Sequence, residues 1–197
     1  MNNPRILVLN GHPAAQSLNR TLAQAYADEA ARHRAVVQEV HLSDLAFDQD
    51  FGRAGYTDVK PLEPDLEELL QRVEWADQIV LTTPMWWGGV PGKLKGLFDR
   101  MLLPGRAFDP KKRDPLGMPK PLFVGKCARI VITSDTPDPY FEDYYGSAMI
   151  RQLKGQIFNF VGINPVEVTH FAGASHADAG MVDAWTAEMK RLARNAV

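Results

Sequence analysis

Five short apolar runs recur along the chain: RILVLN (5–10), AVVQEVHL (35–42), DQIVLTTP (77–84), ARIVITSD (128–135) and PVEVTHF (165–171). The first, third and fourth are near-continuous Val/Ile/Leu, the pattern of parallel strands buried on both faces. The second and fifth alternate more, as flanking strands do. Between the runs the apolar spacing changes to that of a helix. Segment 17–33 repeats Leu18, Leu22, Ala25, Tyr26 and Ala30. Segment 64–76 carries Leu66, Leu69, Leu70 and Val73 on one stripe, and 90–102 carries Leu94, Leu97, Phe98, Met101 and Leu102. Segments 147–162 and 179–196 supply two more helices.

Five strands alternating with five helices predict an α/β fold. It is a three-layer α/β/α arrangement on a five-stranded parallel sheet, with order 2-1-3-4-5. Ligands in such sheets bind beyond the carboxyl ends of the strands, where the strand order reverses between the first and third. The 197 residues are read as one domain, 1–197. Two connections are long, 43–62 and 103–127. The second holds Pro104, Pro110, Pro115, Pro119 and Pro121 with Lys111, Lys112 and Arg113. It reads either as a binding loop or as a solvated basic excursion.

Composition narrows the classes. The 22 Lys+Arg and 24 Asp+Glu leave a net charge of −2, without the basic footprint that nucleic-acid binding needs. With 45% hydrophobic and 23% charged residues, the chain is globular and not disordered. One cysteine, Cys127, excludes an intramolecular disulfide framework and any multi-cysteine metal site, and no metal is expected. The aliphatic run near the start, Ile6–Leu9, is too short for a membrane span or a signal-peptide core. The expectation is a cytoplasmic protein with no membrane insertion.

Three segments fall at the predicted ligand edge. After the first strand comes Asn10-Gly11-His12-Pro13, then Ser17-Leu18-Asn19. Ser17 is a natural N-cap, and the helix start with its free amides, helped by His12, is an anion site. The plainer alternative is that Ser17 only caps and His12 only bonds within a turn. Neither G-x-G-x-x-G nor a P-loop is present. After the third strand, Pro84-Met85-Trp86-Trp87-Gly88-Gly89 puts two adjacent tryptophans on a Pro/Gly-rich loop. That suits a planar ligand better than a core, although one Trp could pack under the loop or in a subunit interface. After the fourth come Thr133, Ser134, Asp135 and Thr136, then Tyr140, Phe141, Tyr144 and Tyr145. The alternative there is a turn with an interface patch. One segment suits a phosphate and two suit a flat polar ring, which together describe a phosphorylated flavin.

The chain resembles the flavodoxin-like NAD(P)H dehydrogenase (quinone) family, which includes quinone reductases, modulator of drug activity B and the Kef potassium-efflux ancillary proteins. The resemblance is carried by Gly11-His12-Pro13 with Ser17-Leu18-Asn19, DLAFDQDF (44–51), TPMWWGGVPGKLKGLFDRML (83–102) and ASHADAGMVDAW (174–185). It implies that His12, Ser17, Leu18 and Asn19 hold the flavin phosphate and ribityl region. It implies that Pro84, Met85, Trp86, Trp87 and Gly88 lie against the ring system. Thr133, Ser134, Asp135 and Thr136 fall where members carry Thr-Thr-Gly-Gly at the ring's polar edge, with Asp135-Thr136-Pro137 replacing the glycines. Members also carry a Tyr and a His beyond this loop. Tyr140 answers to the Tyr, and because no His lies between His41 and His170, the other role passes to a tyrosine or to backbone groups.

The activity so implied is two-electron, ping-pong hydride transfer from NAD(P)H through a flavin to a quinone. FAD is ranked slightly before FMN. Tyr140 is the catalytic candidate, and Trp87, Tyr140, Phe141 and Tyr144 line the substrate pocket. A homodimer is expected, since the family's pocket lies at a subunit interface. Rival readings are a flavodoxin-type electron carrier, a regulatory subunit of a potassium-efflux transporter, and an azoreductase or nitroreductase. Such carriers tend to be strongly acidic, so the charge of −2 weighs against the first.

Overall fold

The computed structural model describes residues 3–52 and 60–196; the part of the first long connection at 53–59 lies outside the described residues. Among the described residues seven strands form: β1 (Arg5–Asn10), β2 (Val36–His41), β3 (Gln78–Pro84), β4 (Phe108–Arg113), β5 (Pro119–Pro121), β6 (Cys127–Ser134) and β7 (Val166–Ala172). Five make one sheet in the order β2-β1-β3-β6-β7, and all its pairs are parallel. With β4 and β5 set aside, this is the expected order 2-1-3-4-5.

Both faces of the sheet are covered, which is why the central strands read as continuous apolar runs. Ile6, Val8, Val80 and Val131 pack under α1 (Leu18–Arg32) and α6 (Ala179–Arg194). Leu7, Leu9, Ile79, Leu81, Ile130 and Ile132 pack under α2 (Pro64–Trp75) and α3 (Gly92–Met101). That second face is completed by a helix that begins as α4 (Ala148–Arg151). It continues through a π-helical stretch, Gln152–Phe158, and ends as α5 (Asn159–Val161). Burying each Leu or Ile of this kind contributes roughly 1.5–3 kcal/mol. Caps mark the helix starts as the sequence suggests: Arg20 N–H donates to Ser17 Oγ at 3.1 Å, and Met181 N–H donates to Asp178 Oδ1 at 2.8 Å.

The 103–127 segment is more ordered than a loop. β4 and β5 pair antiparallel, Phe108 opposite Pro121 and Asp109 opposite Lys120. The prolines that argued for irregular chain are tolerated because a two-stranded ribbon consists of edges alone. Asp114 closes its tip by accepting the N–H groups of Leu116 and Met118, each at 2.9 Å, with Gly117 at φ +88.

Arg100 of α3 is fully buried, and its guanidinium ties down the connection after β2. It donates to Glu63 at 2.9 Å, to Asp48 O at 2.5 Å and to Pro61 O at 2.8 Å. A buried guanidinium must be neutralised and bonded in this way to be tolerated.

Candidate functional site at the carboxyl edge of the sheet

The ends of β1, β3 and β6 are stitched together by polar side chains on one face of the sheet. Gly11 N–H donates to Thr82 O at 2.7 Å. Thr82 Oγ1 donates to Asn19 O at 3.0 Å, and Thr133 Oγ1 donates to Asn19 Oδ1 at 3.1 Å. Met85 N–H donates to Thr133 O at 2.8 Å. The start of α1 is thereby locked to β3 and β6. Gly11 is needed for this closeness, because a Cβ there would meet Leu94 Cδ2 at 2.6 Å and Thr82 O at 3.1 Å. Asn10 and Asn19 are buried, and their Nδ2 donors find no acceptor among the described residues. Buried amide donors left over beneath a loop are what a site for a polar ligand provides.

His12 stands at the mouth of this floor. Its backbone N–H donates to Asn10 Oδ1 at 3.2 Å. Its Nδ1 accepts the Ala14 N–H at 3.0 Å, so the ring proton sits on Nε2. Burial pushes its pKa down from 6.5, only partly offset by the Ala14 contact, so the ring is neutral at pH 7. His12 packs edge-on to Trp86, with ring centroids 5.5 Å apart at 83°. That contact joins the first segment to the second.

The second segment is a tight turn. Trp86 N–H donates to Gly89 O at 2.8 Å, and Gly89 N–H returns to Trp86 O at 3.1 Å. The two central residues, Trp87 and Gly88, have φ of +51 and +75, a turn of the I′ kind. Glycine takes that backbone freely and a bulky aromatic does not. Trp87 pays for it without compensation from packing, since its side chain is fully exposed.

The third segment divides. Thr133 is buried on Asn19, and Asp135 Oδ1 accepts the Ser175 N–H at 2.7 Å, which lowers its pKa. Asp135 thus ties the loop to the β7–α6 connection. Phe141, expected on the pocket wall, is instead 2% exposed and part of the core, stacked on His170 at 4.2 Å and 20°. Its apolar ring gains more from burial than from lining an open edge. Tyr140, Tyr144 and Tyr145 remain exposed, Tyr140 against Tyr144 at 5.9 Å.

Of the expected residues, Asn19, Met85 and Thr133 are joined by hydrogen bonds, Pro84 and Ser134 end β3 and β6, Ser17 caps α1, and His12 meets Trp86, which opens the turn with Trp87 and Gly88. Leu18 packs partly into the α1–α6 core, and Thr136 donates its N–H to Ser134 Oγ at 3.1 Å. Sequence reasoning missed His170. Strand β7 delivers it to the third segment, where Nε2 lies 2.8 Å from Ser134 Oγ and Nδ1 lies 2.8 Å from Asp138 Oδ1. The signal was available: the fifth run carries His170 next to its last residue, and the expected strand order sets it beside the fourth. Among the described residues no group of three or more His, Cys, Asp or Glu is placed to hold a metal ion. No described helix is long and apolar enough to cross a membrane.

Comparisons with known proteins bear on the fold and the family. An FMN-dependent NADH:quinone oxidoreductase of Stenotrophomonas maltophilia is 30% identical over 120 residues, 61% of this chain and 57% of that protein. The matched stretch is thus little more than half of that relative. A protein of the same name from Pseudomonas savastanoi is 26% identical over 193 residues, 94% of this chain and 92% of its own. The NAD(P)H:quinone oxidoreductase of Methanothermobacter marburgensis shares the fold at a TM-score of 0.81 and 20% identity, over 98% of this chain and 96% of that one. The profile of the family described as having a flavodoxin-like fold matches residues 4–193. The chain therefore belongs to the flavodoxin-like family.

Proposed function

We propose that this protein is a flavin-dependent NAD(P)H:quinone oxidoreductase working by two-electron, ping-pong transfer, with FMN as its cofactor. The observation that carries the reading is the hydrogen-bonded joining of the β1, β3 and β6 loops beneath a strained, exposed tryptophan turn. The expected preference for FAD is reversed, because the relatives reported above are named as FMN-dependent.

The residues present fit such a cofactor. Ser17 caps α1 and leaves the amides of the first turn to a phosphate, where the helix dipole favours negative charge. His12, neutral with its proton on Nε2, adds a donor without adding a charge. Asn10 and Asn19 offer the two buried amide donors of the floor. Met85, Trp86, Trp87 and Gly88, beyond the buried Pro84, offer apolar surface to the ring system, and Thr136, next to the buried Ser134, a polar edge. Bound there, FMN supplies the hydride chemistry, and the protein positions and shields it. Trp87, Tyr140 and Tyr144 are exposed aromatic rings on the loops that follow β3 and β6, and donor and acceptor are taken to use one flavin face in turn, so that the donor leaves before the acceptor enters. Tyr140 is the candidate to hold a proton there through its hydroxyl.

Titration with FMN and with FAD, read by flavin fluorescence, tests the cofactor: FMN is expected to bind the more tightly. Steady-state oxidation of NADH at several fixed menadione concentrations is expected to give parallel double-reciprocal lines. Intersecting lines would remove the ping-pong order. Binding of neither flavin would remove the reading as a whole, and flavin binding with negligible turnover would favour an electron carrier.

A further inference from the structure

We propose that His170 is a positioning residue for the segment 135–145, and through it for the aromatic wall that receives the electron acceptor; the acceptor half of this rests on the function proposed above. His170 lies on β7 with its Cα opposite Ile132, so its ring reaches the end of β6 beside Ser134. Both ring nitrogens are engaged. Asp138, as a carboxylate, can only accept, so Nδ1 carries the proton and donates to Oδ1 at 2.8 Å. Nε2 then accepts the Ser134 hydroxyl proton at 2.8 Å, and Ser134 Oγ in turn accepts the Thr136 N–H at 3.1 Å. One face of the imidazole is covered by Phe141.

These contacts bracket Tyr140. Asp138 is held by the edge of the imidazole and Phe141 by its face, so the chain is pinned on both sides of the tyrosine. Phe141 N–H also donates to Pro137 O at 3.0 Å, which tightens the bend between the two anchors. A histidine serving only as core filler would not need both nitrogens and a ring face committed to the same short loop. The positions 135–137 hold Asp, Thr and Pro, so the loop cannot take its shape from the backbone freedom of glycine. Side-chain anchoring supplies what the backbone lacks.

Exposure separates the two halves of the clamp. The His170 side chain is 10% exposed and that of Asp138 64%. Asp138 can therefore be changed without opening the core, and Asp138→Ala serves beside His170→Ala in case the latter does not fold. Two readouts are needed. Hydrogen–deuterium exchange of the 140–145 amides, measured on the flavin-free protein, is expected to quicken at least tenfold in either variant. Asp138→Asn, which keeps an acceptor for Nδ1–H, is expected to restore most of the protection. In the FMN-loaded enzyme, Asp138→Ala is expected to raise the KM for menadione at least fivefold, with kcat and FMN affinity within twofold of the parent.

Unchanged exchange in folded Asp138→Ala overturns the proposal. So does a loss of FMN affinity with no change in menadione KM, which would assign His170 to the cofactor. If the parent protein binds no flavin, the functional reading falls, while the exchange measurement still decides whether His170 holds the loop.

Discussion

At the scale of single residues, Trp87 combines three features that rarely occur together: a left-handed backbone, a bulky ring and full exposure. Residues held in such regions are usually there for a ligand or a partner. Removing the ring while keeping the turn separates the roles. Trp87→Gly relieves a left-handed conformation that costs an ordinary residue about 1–2 kcal/mol, and it gives up no burial. The urea midpoint is therefore expected to stay level or rise, while FMN or acceptor binding weakens by about 0.5–1.5 kcal/mol, the worth of an aromatic contact. A large fall in stability with unchanged affinity would assign the ring to packing instead. The double Trp on a Gly-rich loop was legible in the sequence because no strand or helix pattern could absorb it. Phe141 was misplaced for the converse reason: a ring next to two exposed tyrosines looks like a wall until the register of β7 brings His170 beneath it.

Among the elements, the α1–α6 pair is joined by a charge that the apolar pattern did not reveal. Glu29 is buried on α1, where Arg194 Nε of α6 donates to it at 2.7 Å, with Arg32 and His33 each at 3.3 Å. Arg194 above all, then Arg32 and His33, hold its pKa at about 2 against desolvation. The ordinary value is 4.5, so the unfolded chain binds the proton at a higher pH than the folded one. The contribution of Glu29 is thus fully present above pH 4.5 and is lost as pH falls toward 2. Glu29→Gln is expected to lower the melting temperature at pH 7 and to lose less between pH 4.5 and 2 than the parent. Curves displaced equally at every pH would mean that Glu29 acts by packing alone. The five strands and five helices were legible because burial on both sheet faces writes itself into the apolar periodicity. The β4–β5 hairpin was not, since five prolines and a basic cluster masked a two-stranded ribbon.

The whole molecule leaves an aromatic edge uncovered. Tyr140, Tyr144 and Tyr145 are exposed and packed on one another, ring to ring at 5.9 and 5.4 Å, on the segment that follows β6. Contiguous apolar surface of this kind usually marks an interface. A flavin would cover the tryptophan turn, but the tyrosines extend along the π-helical turn Tyr140–Tyr144 and beyond it. Helix α3 spends Leu94, Leu97, Phe98 and Met101 on the protein's own core and has little apolar surface to offer. The tyrosine segment is therefore the expected meeting point of two copies. Sedimentation equilibrium at micromolar concentration is expected to report twice the chain mass of 22.0 kDa. Replacing Tyr144 and Tyr145 together by Lys, which adds like charges across a two-fold contact, is expected to give a monomer that still folds. Because the second copy would close the open side of the candidate site, that monomer is also expected to hold FMN less tightly and to show a raised KM for menadione. A parent protein that sediments at the single-chain mass would contradict the interface, and a monomeric variant with unaltered kinetics would show that each crevice works alone.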